Sequence, residues 1–407
     1  MRCGLLGKKL GHSYSPQIHS YLWDYPYSLF EKQPDELEDF LKNGDFHGLN
    51  VTIPYKKAVI PYCSALSERA AELGAVNTIV RRPDGSLIGH NTDYFGFQSM
   101  LHRSGLQVAG KKVLVLGSGG ASATAVSVLG KAFANVVVIS RNGSDNYSNL
   151  HLHADAAVIV NTTPVGMYPQ TGHSPIDIHL FPKLEGVLDI VYNPAKTQLL
   201  LDAEAMGLIA ENGLWMLVAQ AKESAEWFTG ENISDDKIAE IHQILRNQME
   251  NLILIGMPGC GKSTIGCLLA QQLGRKFVDA DAEIVKQAGK SIPEIFQESG
   301  EEGFRKWETE ILSQLGKQSG LVIATGGGCV TRPENYPLLH QNGYIIWIRR
   351  DPSILPTDGR PLSQNGRIEE MYKMRRPLYE RFADTCVMND GTPADTVAQI
   401  LSKERYK

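Results

Sequence analysis

The chain has 407 residues, of which 43% are hydrophobic and 21% are charged, and its formal net charge is -5. This length exceeds one typical domain and allows two or three hydrophobic cores. The acidic excess argues against a nucleic-acid-binding protein, and no apolar run approaches the ~20 residues that span a bilayer. The six cysteines form no C-x-x-C pair, as expected of reduced thiols. We therefore expect a multi-domain cytoplasmic protein without nucleic-acid or membrane partners, whose oligomeric state the sequence does not indicate.

The predicted elements follow an α/β pattern from the first residues onward. Residues upstream of about 100 show this pattern without a nucleotide-binding loop, which suits a substrate-binding domain. Residues 111–129 and 251–273 each contain an apolar strand, a glycine-rich turn and a helical pattern, the opening of a nucleotide-binding α/β domain. Further buried strands are predicted at 136–140, 156–161, 186–192, 321–325 and 344–348. Because helical or mixed stretches separate these strands, we expect parallel sheets.

The first glycine-rich loop departs from the dinucleotide-binding consensus at one position. Gly117 and Gly119 match the first two glycines of G-x-G-x-x-G, but Ser122 stands at the third. Small residues there let a pyrophosphate approach the N–H groups at a helix start. The next strand ends in Ser140 and Arg141 instead of Asp or Glu, and a guanidinium suits the 2′-phosphate of NADP. The alternative is a purely structural turn followed by a solvated surface charge.

The second glycine-rich loop, residues 256–263, matches G-x-x-x-x-G-K-[ST] in full and lies between an apolar run and a helical pattern. Its backbone N–H groups are expected to hold the phosphates of ATP, with Lys262 reaching the β and γ oxygens and Ser263 binding Mg²⁺. This loop alone leaves ATPases, GTPases and many kinases open.

The first 246 residues resemble the shikimate dehydrogenases. The matching segments occur in the order GLLGKKLGHSYSPQIH, GLNVTIPYK, GAVNT, GHNTDYFG, the GSGGAS loop, NTTPVGM, DIVYNPAKTQLL and GLWMLVAQA. The resemblance assigns catalysis to Lys56 and Asp93, a cation and a carboxylate suited to proton transfer at a ring ketone. It also implies that shikimate is held by Ser13, Ser15, Thr52, Lys56, Asn77, Asp93, Tyr192 and Gln220. The contacts that it implies for NADP are Gly117, Ser118, Gly119, Gly120, Ala121, Ser122, Ser140, Arg141, Thr162, Gly213 and Met216.

Residues from about 251 to 407 resemble the shikimate kinases, through Asp279-Ala-Asp281, Phe304-Arg305 with Glu308, Gly326-Gly-Gly328, Arg360-Pro-Leu and Arg375-Arg-Pro-Leu-Tyr. Two arginines can clamp a carboxylate, and Asp281 can accept or orient the attacking hydroxyl. The implied shikimate contacts are Asp281, Arg305, Gly326, Gly327, Gly328 and Arg375. The implied ATP contacts are Gly256, Gly259, Cys260, Gly261, Lys262, Ser263, Thr264 and Arg360. The resemblance further implies that Ser263 and Asp279 bind Mg²⁺. It assigns catalysis to Asp281 and Arg360.

Four features leave alternatives open. Arg305 and Glu308 have the i, i+3 spacing of an ordinary helix surface pair. Trp215 stands beside the expected nicotinamide pocket, where many relatives have glycine. No second basic residue for the 2′-phosphate is found after Arg141, so NAD stays possible as the cofactor. The presumed lid before Arg360 is short and lacks a second arginine.

Together the elements and resemblances predict an α/β chain with three domains. An α/β substrate-binding domain is expected over 1–96, completed by about 214–247, with a Rossmann-like NADP domain over 97–213. A P-loop kinase domain with a parallel sheet is expected over 251–407, after a helix that begins near Ser234.

The expected protein is a bifunctional enzyme that uses NADP(H), ATP and Mg²⁺. It would reduce 3-dehydroshikimate to shikimate and then phosphorylate shikimate to shikimate 3-phosphate. Two alternatives stay open: a dehydrogenase that prefers quinate, and a half that binds its ligand without catalysis.

Overall fold

The structure is a computed structural model that describes residues 1–11, 13–355 and 368–403. The chain forms two compact units. The first comprises Met1–Gly166, His173–Tyr192 and Asp202–Ile244, and the second comprises Met167–Gly172, Asn193–Leu201 and Leu245–Lys407. Among the described residues, no helix combines the length and the apolar character that crossing a membrane requires.

The first unit contains a six-stranded mixed sheet. Its strands are β1 (Cys3–Gly7), β2 (Tyr27–Glu31), β3 (Gly48–Val51), β4 (Ala65–Leu66), β5 (Thr78–Arg81) and β6 (Leu87–His90). The spatial order is β2-β1-β3-β5-β6-β4, and β5 is antiparallel to both of its neighbours. Its helices are α1 (Ser15–Leu22), α2 (Leu37–Asn43), α3 (Glu68–Leu73) and α4 (Asp93–Ser104).

A second sheet of the first unit has five strands, which are all parallel. They are β7 (Lys112–Leu116), β8 (Asn135–Ile139), β9 (Val158–Asn161), β10 (Gly186–Asp189) and β11 (Ile209–Asn212), in the order β11-β10-β9-β7-β8. The helices of this part of the chain are α5 (Gly120–Lys131), α6 (Gln198–Ala205), α7 (Leu214–Thr229) and α8 (Asp236–Met249). Only a short 3-10 helix separates β8 from β9 in the described chain, so the third strand of the usual dinucleotide-binding order is missing.

The second unit is built around another five-stranded parallel sheet, with the order β13-β14-β12-β15-β16. Its strands are β12 (Asn251–Ile255), β13 (Lys276–Asp279), β14 (Leu321–Ala324), β15 (Gly343–Arg349) and β16 (Thr385–Met388). Its helices are α9 (Lys262–Leu273), α10 (Ala280–Ala288), α11 (Ile292–Gly316), α12 (Asn335–His340), α13 (Ile368–Phe382) and α14 (Pro393–Leu401). The residues of β12 are buried along its whole length, as expected for a parallel sheet covered on both faces. The predicted α/β class and the predicted parallel sheets are confirmed.

Phe133 has an unfavourable backbone conformation in the turn between α5 and β8. Its φ is 59°, and its side chain is 80% exposed. We expect Phe133→Gly to raise the free energy of unfolding of the first unit by about 1 kcal/mol, because glycine adopts positive φ without steric cost. Urea denaturation measures this difference.

The neighbouring substitution Ala132→Gly is the matched control, because Ala132 has a φ of -86°. Glycine gains no conformational advantage there and adds entropy to the unfolded chain, so this variant should lose stability. A loss of stability in Phe133→Gly would contradict the prediction.

Candidate active sites

The structure brings the two predicted catalytic residues of the first unit into direct contact. Lys56 lies in the turn after β3, and Asp93 is the first residue of α4. Lys56 Nζ is 2.5 Å from Asp93 Oδ2, and the two side chains are 29% and 16% exposed. A carboxylate in the first turn of a helix is favoured by the helix dipole. The pair is therefore preorganised and still accessible to a ligand, as proton transfer requires.

The predicted shikimate contacts of this unit form several local pairs. Ser13 Oγ donates to Ser15 Oγ at 3.2 Å, and the Tyr192 ring meets Tyr14 edge-on at 6.2 Å between centroids. Burial raises the pKa of Tyr192, so its hydroxyl stays a neutral donor at physiological pH. Gln220 on α7 donates through Nε2 to the backbone oxygen of Leu217 at 2.9 Å. The convergence of these residues on one ligand stays a prediction.

The first nucleotide loop has the shape that its glycines predict. Gly117 has a φ of 109°, and a Cβ there would lie 2.8 Å from Thr162 Oγ1. A Cβ on Gly119 or Gly120 would meet no other atom within 4 Å, so the start of α5 is open to a ligand. The third consensus position, Ser122, is 3% exposed and serves packing. The loop can therefore accept a pyrophosphate against the N–H groups of α5.

We expect Gly119→Ala to leave folding intact and to raise the KM for the dinucleotide by about tenfold, because Gly119 is the second glycine of the motif and its new methyl group would occupy the space that the pyrophosphate needs. The matched control is Gly130→Ala on α5, where a Cβ also meets no other atom within 4 Å. Steady-state kinetics of both variants tests the assignment. An unchanged KM in Gly119→Ala would place the pyrophosphate elsewhere.

Ser140 and the exposed Arg141 directly follow β8. Ser140 donates its backbone N–H to Asp145 O at 3.1 Å, which folds the following residues into a tight turn. This turn lies in the chain between β8 and β9, where the missing strand would otherwise occur. Burial raises the pKa of Tyr147, and the charge of Arg141 opposes this shift. Arg141 is thus placed at the carboxyl end of β8, where a ribose phosphate binds in dinucleotide-binding folds.

Trp215 is held by α4. Its Nε1 donates to Ser99 Oγ at 2.8 Å, and the Arg103 guanidinium lies 4.6 Å from the ring centroid. Ser99 is six residues beyond Asp93, which corresponds to about 9 Å along the helix axis. The indole therefore packs against the later turns of α4, while its neighbour Met216 is 9% exposed.

The P-loop of the second unit depends on three glycines with positive φ, Gly256, Gly259 and Gly261. Lys262 is 8% exposed, and its Nζ donates to the backbone oxygens of Gly256 at 2.9 Å and Met257 at 3.1 Å. These contacts hold the ammonium over the loop. Cys260, a predicted ATP contact, is fully buried, and its backbone N–H donates to Met257 O at 3.2 Å, so its contact with ATP stays a prediction.

Two oxygen-bearing side chains beside the loop suit Mg²⁺. Ser263 Oγ donates to Asp279 Oδ2 at 2.7 Å, and Asp279 Oδ1 accepts the backbone N–H of Asp281 at 3.0 Å. Hydroxyl and carboxylate oxygens are ligands that Mg²⁺ accepts, and waters and phosphates complete its shell in such sites. The described residues contain no cluster of three or more His, Cys, Asp or Glu arranged for a metal ion.

A cavity of about 480 Å³ joins the P-loop to α10 and α11. The predicted residues that line it are Gly259, Lys262, Ser263, Asp279, Asp281, Arg305, Gly326, Gly327, Gly328 and Arg375. Arg360, predicted to act on the transferred phosphoryl group, lies outside the described residues. The predicted Mg²⁺ and shikimate contacts thus meet in one space with three of the predicted ATP contacts. Four other predicted ATP contacts do not line the cavity: Gly256, Cys260, Gly261 and Thr264.

Arg305 and Glu308 form a buried ion pair, so the surface-pair alternative is wrong. Arg305 Nη1 donates to Glu308 Oε2 at 2.8 Å, and the two side chains are 7% and 0% exposed. A Cβ on Gly328 would overlap the Arg305 guanidinium, so only glycine allows this arrangement. Arg375 donates through Nη1 to Gly327 O at 3.2 Å and is also buried. Two arginines at one glycine turn are suited to a carboxylate ligand.

Several polar atoms in this cavity have no hydrogen-bond partner within the described part of the chain. They include Asp281 Oδ1, Glu308 Oε1 and Arg305 Nε. Burial, followed by repulsion from Asp279, raises the pKa of Asp281, and burial raises the pKa of Glu308. Because unpaired buried polar groups are costly, the two carboxyl oxygens need a donor and Arg305 Nε needs an acceptor, and a ligand with hydroxyls and a carboxylate could supply both.

Sequence reasoning gave no role to three contributors to the second site, although Phe304 stands in one of the matched motifs. Phe296 and Phe304 stack with ring centroids 4.9 Å apart and form an apolar wall of the cavity. Asn389, directly after β16, donates through Nδ2 to Cys260 O at 2.8 Å and holds the P-loop from the side. The strand before it, β16, was not among the predicted strands, so the sequence analysis offered no signal for Asn389, although ligands bind at the carboxyl ends of parallel strands.

Comparison with known proteins confirms both resemblances. Residues 5–79 match the family described as the shikimate dehydrogenase substrate binding domain, and residues 258–404 match the shikimate kinase family. The shikimate dehydrogenase (NADP(+)) of Clostridium perfringens (strain 13 / Type A) is 36% identical over 265 residues, which cover 60% of this chain and 97% of that protein.

Two solved structures extend this comparison. A chorismate mutase/shikimate 5-dehydrogenase fusion protein from Clostridium acetobutylicum has a TM-score of 0.57 and 37% identity, with 60% of this chain and 96% of that chain covered. The quinate dehydrogenase from Corynebacterium glutamicum in complex with NAD has a TM-score of 0.55 and 27% identity, with coverages of 60% and 98%. The chain therefore belongs to the shikimate dehydrogenase family and carries a shikimate kinase domain in residues 258–404.

Proposed function

We propose that this chain catalyses two consecutive reactions in the cytoplasm. The first is the NADPH-dependent reduction of 3-dehydroshikimate to shikimate, and the second is the ATP- and Mg²⁺-dependent phosphorylation of shikimate to shikimate 3-phosphate. The observation that carries the proposal is the presence of both sets of polar groups in one chain: the Lys56–Asp93 pair and the cavity lined by Arg305 and Arg375. We keep the division into domains at 1–96 with 214–247, 97–213 and 251–407 as part of this proposal.

In the first reaction, NADPH supplies the hydride when it is bound at Gly117–Ser122, with Arg141 at its 2′-phosphate. Lys56 polarises the ketone oxygen and donates a proton to it, and Asp93 keeps the ammonium oriented by its 2.5 Å contact. The predicted contacts Ser13, Ser15, Thr52, Asn77, Tyr192 and Gln220 hold the carboxylate and hydroxyls of the substrate.

In the second reaction, the buried Arg305 and Arg375 grip the carboxylate of shikimate. Asp281 orients the attacking hydroxyl and accepts its proton, a task that its raised pKa supports. Lys262 neutralises charge on the phosphates, and Ser263 with Asp279 holds Mg²⁺. The resemblance to the shikimate kinases implies these roles, and the residue chemistry and the shared cavity support them.

The direct test gives the purified chain 3-dehydroshikimate, NADPH, ATP and Mg²⁺ and follows NADPH loss and ADP formation together. We expect both signals in equal amounts, with ADP formation absent when NADPH is omitted. NADPH loss without ADP formation would make the kinase domain a silent binding module. No NADPH oxidation with 3-dehydroshikimate, in a preparation that still forms ADP from added shikimate, would make the dehydrogenase part a silent binding module.

The second candidate function of the first unit is quinate oxidation with NAD, which the structural likeness to a quinate dehydrogenase favours. Steady-state oxidation of quinate and shikimate with NAD and NADP separates the two. We expect the highest kcat/KM for shikimate with NADP. A higher value for quinate would overturn the substrate assignment.

A further inference from the structure

Buried polar side chains cluster where β3 and β5 face helices α4 and α7. This hydroxyl cluster consists of Asn50, Asn77, Thr78, Thr92 and Ser224, none of which is more than 5% exposed. Each buried polar group must find a partner, because an unpaired one destabilises the folded state. Five buried polar side chains that bond to one another fix the relative positions of the elements that carry them, which points to a role beyond packing.

Ser224 on α7 is the centre of the cluster. Its Oγ accepts from Asn50 Nδ2 at 2.8 Å and lies 2.9 Å from the hydroxyls of both Thr78 and Thr92. It also lies within donating distance, 2.8 Å, of the backbone oxygen of Gln220. Ser224 thereby links α7 to two strands and to the residue that precedes α4.

Asn77 closes the cluster on the other side. Its Oδ1 accepts the Thr78 hydroxyl at 3.1 Å, and its Nδ2 donates to Thr92 Oγ1 at 3.1 Å. The same Oδ1 accepts the backbone N–H of Thr92 at 2.7 Å. Much of the hydrogen-bonding capacity of Asn77 is therefore used inside the protein, and at most part of its amide is left for a ligand.

The cluster is connected to both members of the Lys56–Asp93 pair, to Asp93 along the chain and to Lys56 through one backbone hydrogen bond. Thr92 directly precedes Asp93, and Val76, directly before Asn77, donates its N–H to the backbone oxygen of Lys56 at 2.7 Å. The backbones that carry the ammonium and the carboxylate are thus both anchored to residues 76–77. A shift of about 1 Å at a catalytic group can cost on the order of 100-fold in rate.

We propose that Thr78 and Ser224 are positioning residues that set the geometry of the Lys56–Asp93 pair for proton transfer. Both are 0% exposed, so they act through Asn77 and Thr92 without touching substrate. The inference rests on the proposed ketone reduction.

The test compares Thr78→Val, which keeps the branched shape and deletes the hydroxyl, with Thr78→Ser, which keeps the hydroxyl. Ser224→Ala deletes a single oxygen and provides a second route to the same result. We expect Thr78→Val and Ser224→Ala to lower the dehydrogenase kcat about tenfold, with the KM for NADPH changed by less than about twofold. The deuterium isotope effect on this turnover with 4-deuterated NADPH should increase, because hydride transfer becomes more rate-limiting. Thr78→Ser should stay within about threefold of the wild-type turnover.

An unchanged NADPH KM shows that the first unit is folded, and kinase activity of the same preparations normalises the enzyme concentration. A wild-type kcat and isotope effect in both Thr78→Val and Ser224→Ala would overturn the inference. An equal loss in Thr78→Ser and Thr78→Val would also overturn it, because the hydroxyl would not be the cause. If the wild-type chain fails to reduce 3-dehydroshikimate, the proposed function fails instead.

Discussion

Lys56→Ala is expected to lower the kcat/KM of the dehydrogenase reaction by about 10³-fold while shikimate phosphorylation stays near the wild-type rate. Lys56 Nζ lies 2.5 Å from Asp93 Oδ2, and its removal takes away the proton donor for the ketone oxygen. It also leaves Asp93 without this counter-charge. Parallel assays of NADPH oxidation and ADP formation measure both activities on one preparation.

The adjacent Lys57 supplies the control, because it is also a lysine in the turn after β3 but is exposed. Lys57→Ala should retain both activities. Retention of more than about one tenth of the dehydrogenase rate by Lys56→Ala would exclude Lys56 as the proton donor, since general acids contribute about 10²–10⁴-fold. Loss of both activities would show that the substitution damages folding or that the two reactions are coupled.

The parts of the fold that the sequence predicts are those specified by local chemistry. The apolar runs at 113–116 and 252–255 become buried parallel strands, and the first glycine after each run, Gly117 or Gly256, adopts a positive φ. The start of the helix near Ser234 is predicted within two residues, because Ser234 Oγ accepts the N–H of Asp236 in the turn before α8. These features depend on neighbours in sequence, so a single chain is sufficient to predict them.

The features that the sequence does not predict depend on distant residues. The spacing of Arg305 and Glu308 is compatible with a solvated helix face, and burial follows only from the packing of α11 against the glycine turn at Gly328. Likewise, the Trp215 indole is directed by Ser99 and Arg103, more than 110 residues earlier in the chain. The hydroxyl cluster joins Asn50 to Ser224 in the same way. Such contacts arise from topology, which local patterns do not encode.

Asp281→Asn is expected to abolish phosphorylation, with a loss of about 10³-fold in turnover, and to leave the dehydrogenase rate unchanged. The same substitution should stabilise the second unit at neutral pH. Burial and repulsion from Asp279 raise the pKa of Asp281, so the folded state binds its proton more tightly than the unfolded state. The protonated carboxyl group therefore contributes stability below its ordinary pKa, and this contribution is lost as the pH rises from the ordinary pKa to the raised one. Above that window its charge is a net cost to folding, and asparagine removes the charge.

Urea denaturation at several pH values tests this sign: the gain in stability of Asp281→Asn should shrink as pH is lowered through the window. Glu283→Gln on the same helix is the control, because Glu283 forms a surface pair with Lys286 at 3.3 Å and should change stability by less than about 0.5 kcal/mol. A less stable Asp281→Asn at neutral pH would mean that Lys262 and Arg305, which both lower the pKa of Asp281, outweigh its burial. If Asp281→Asn is more stable but inactive, the carboxylate is retained at this position for its role in the reaction, although it destabilises the fold.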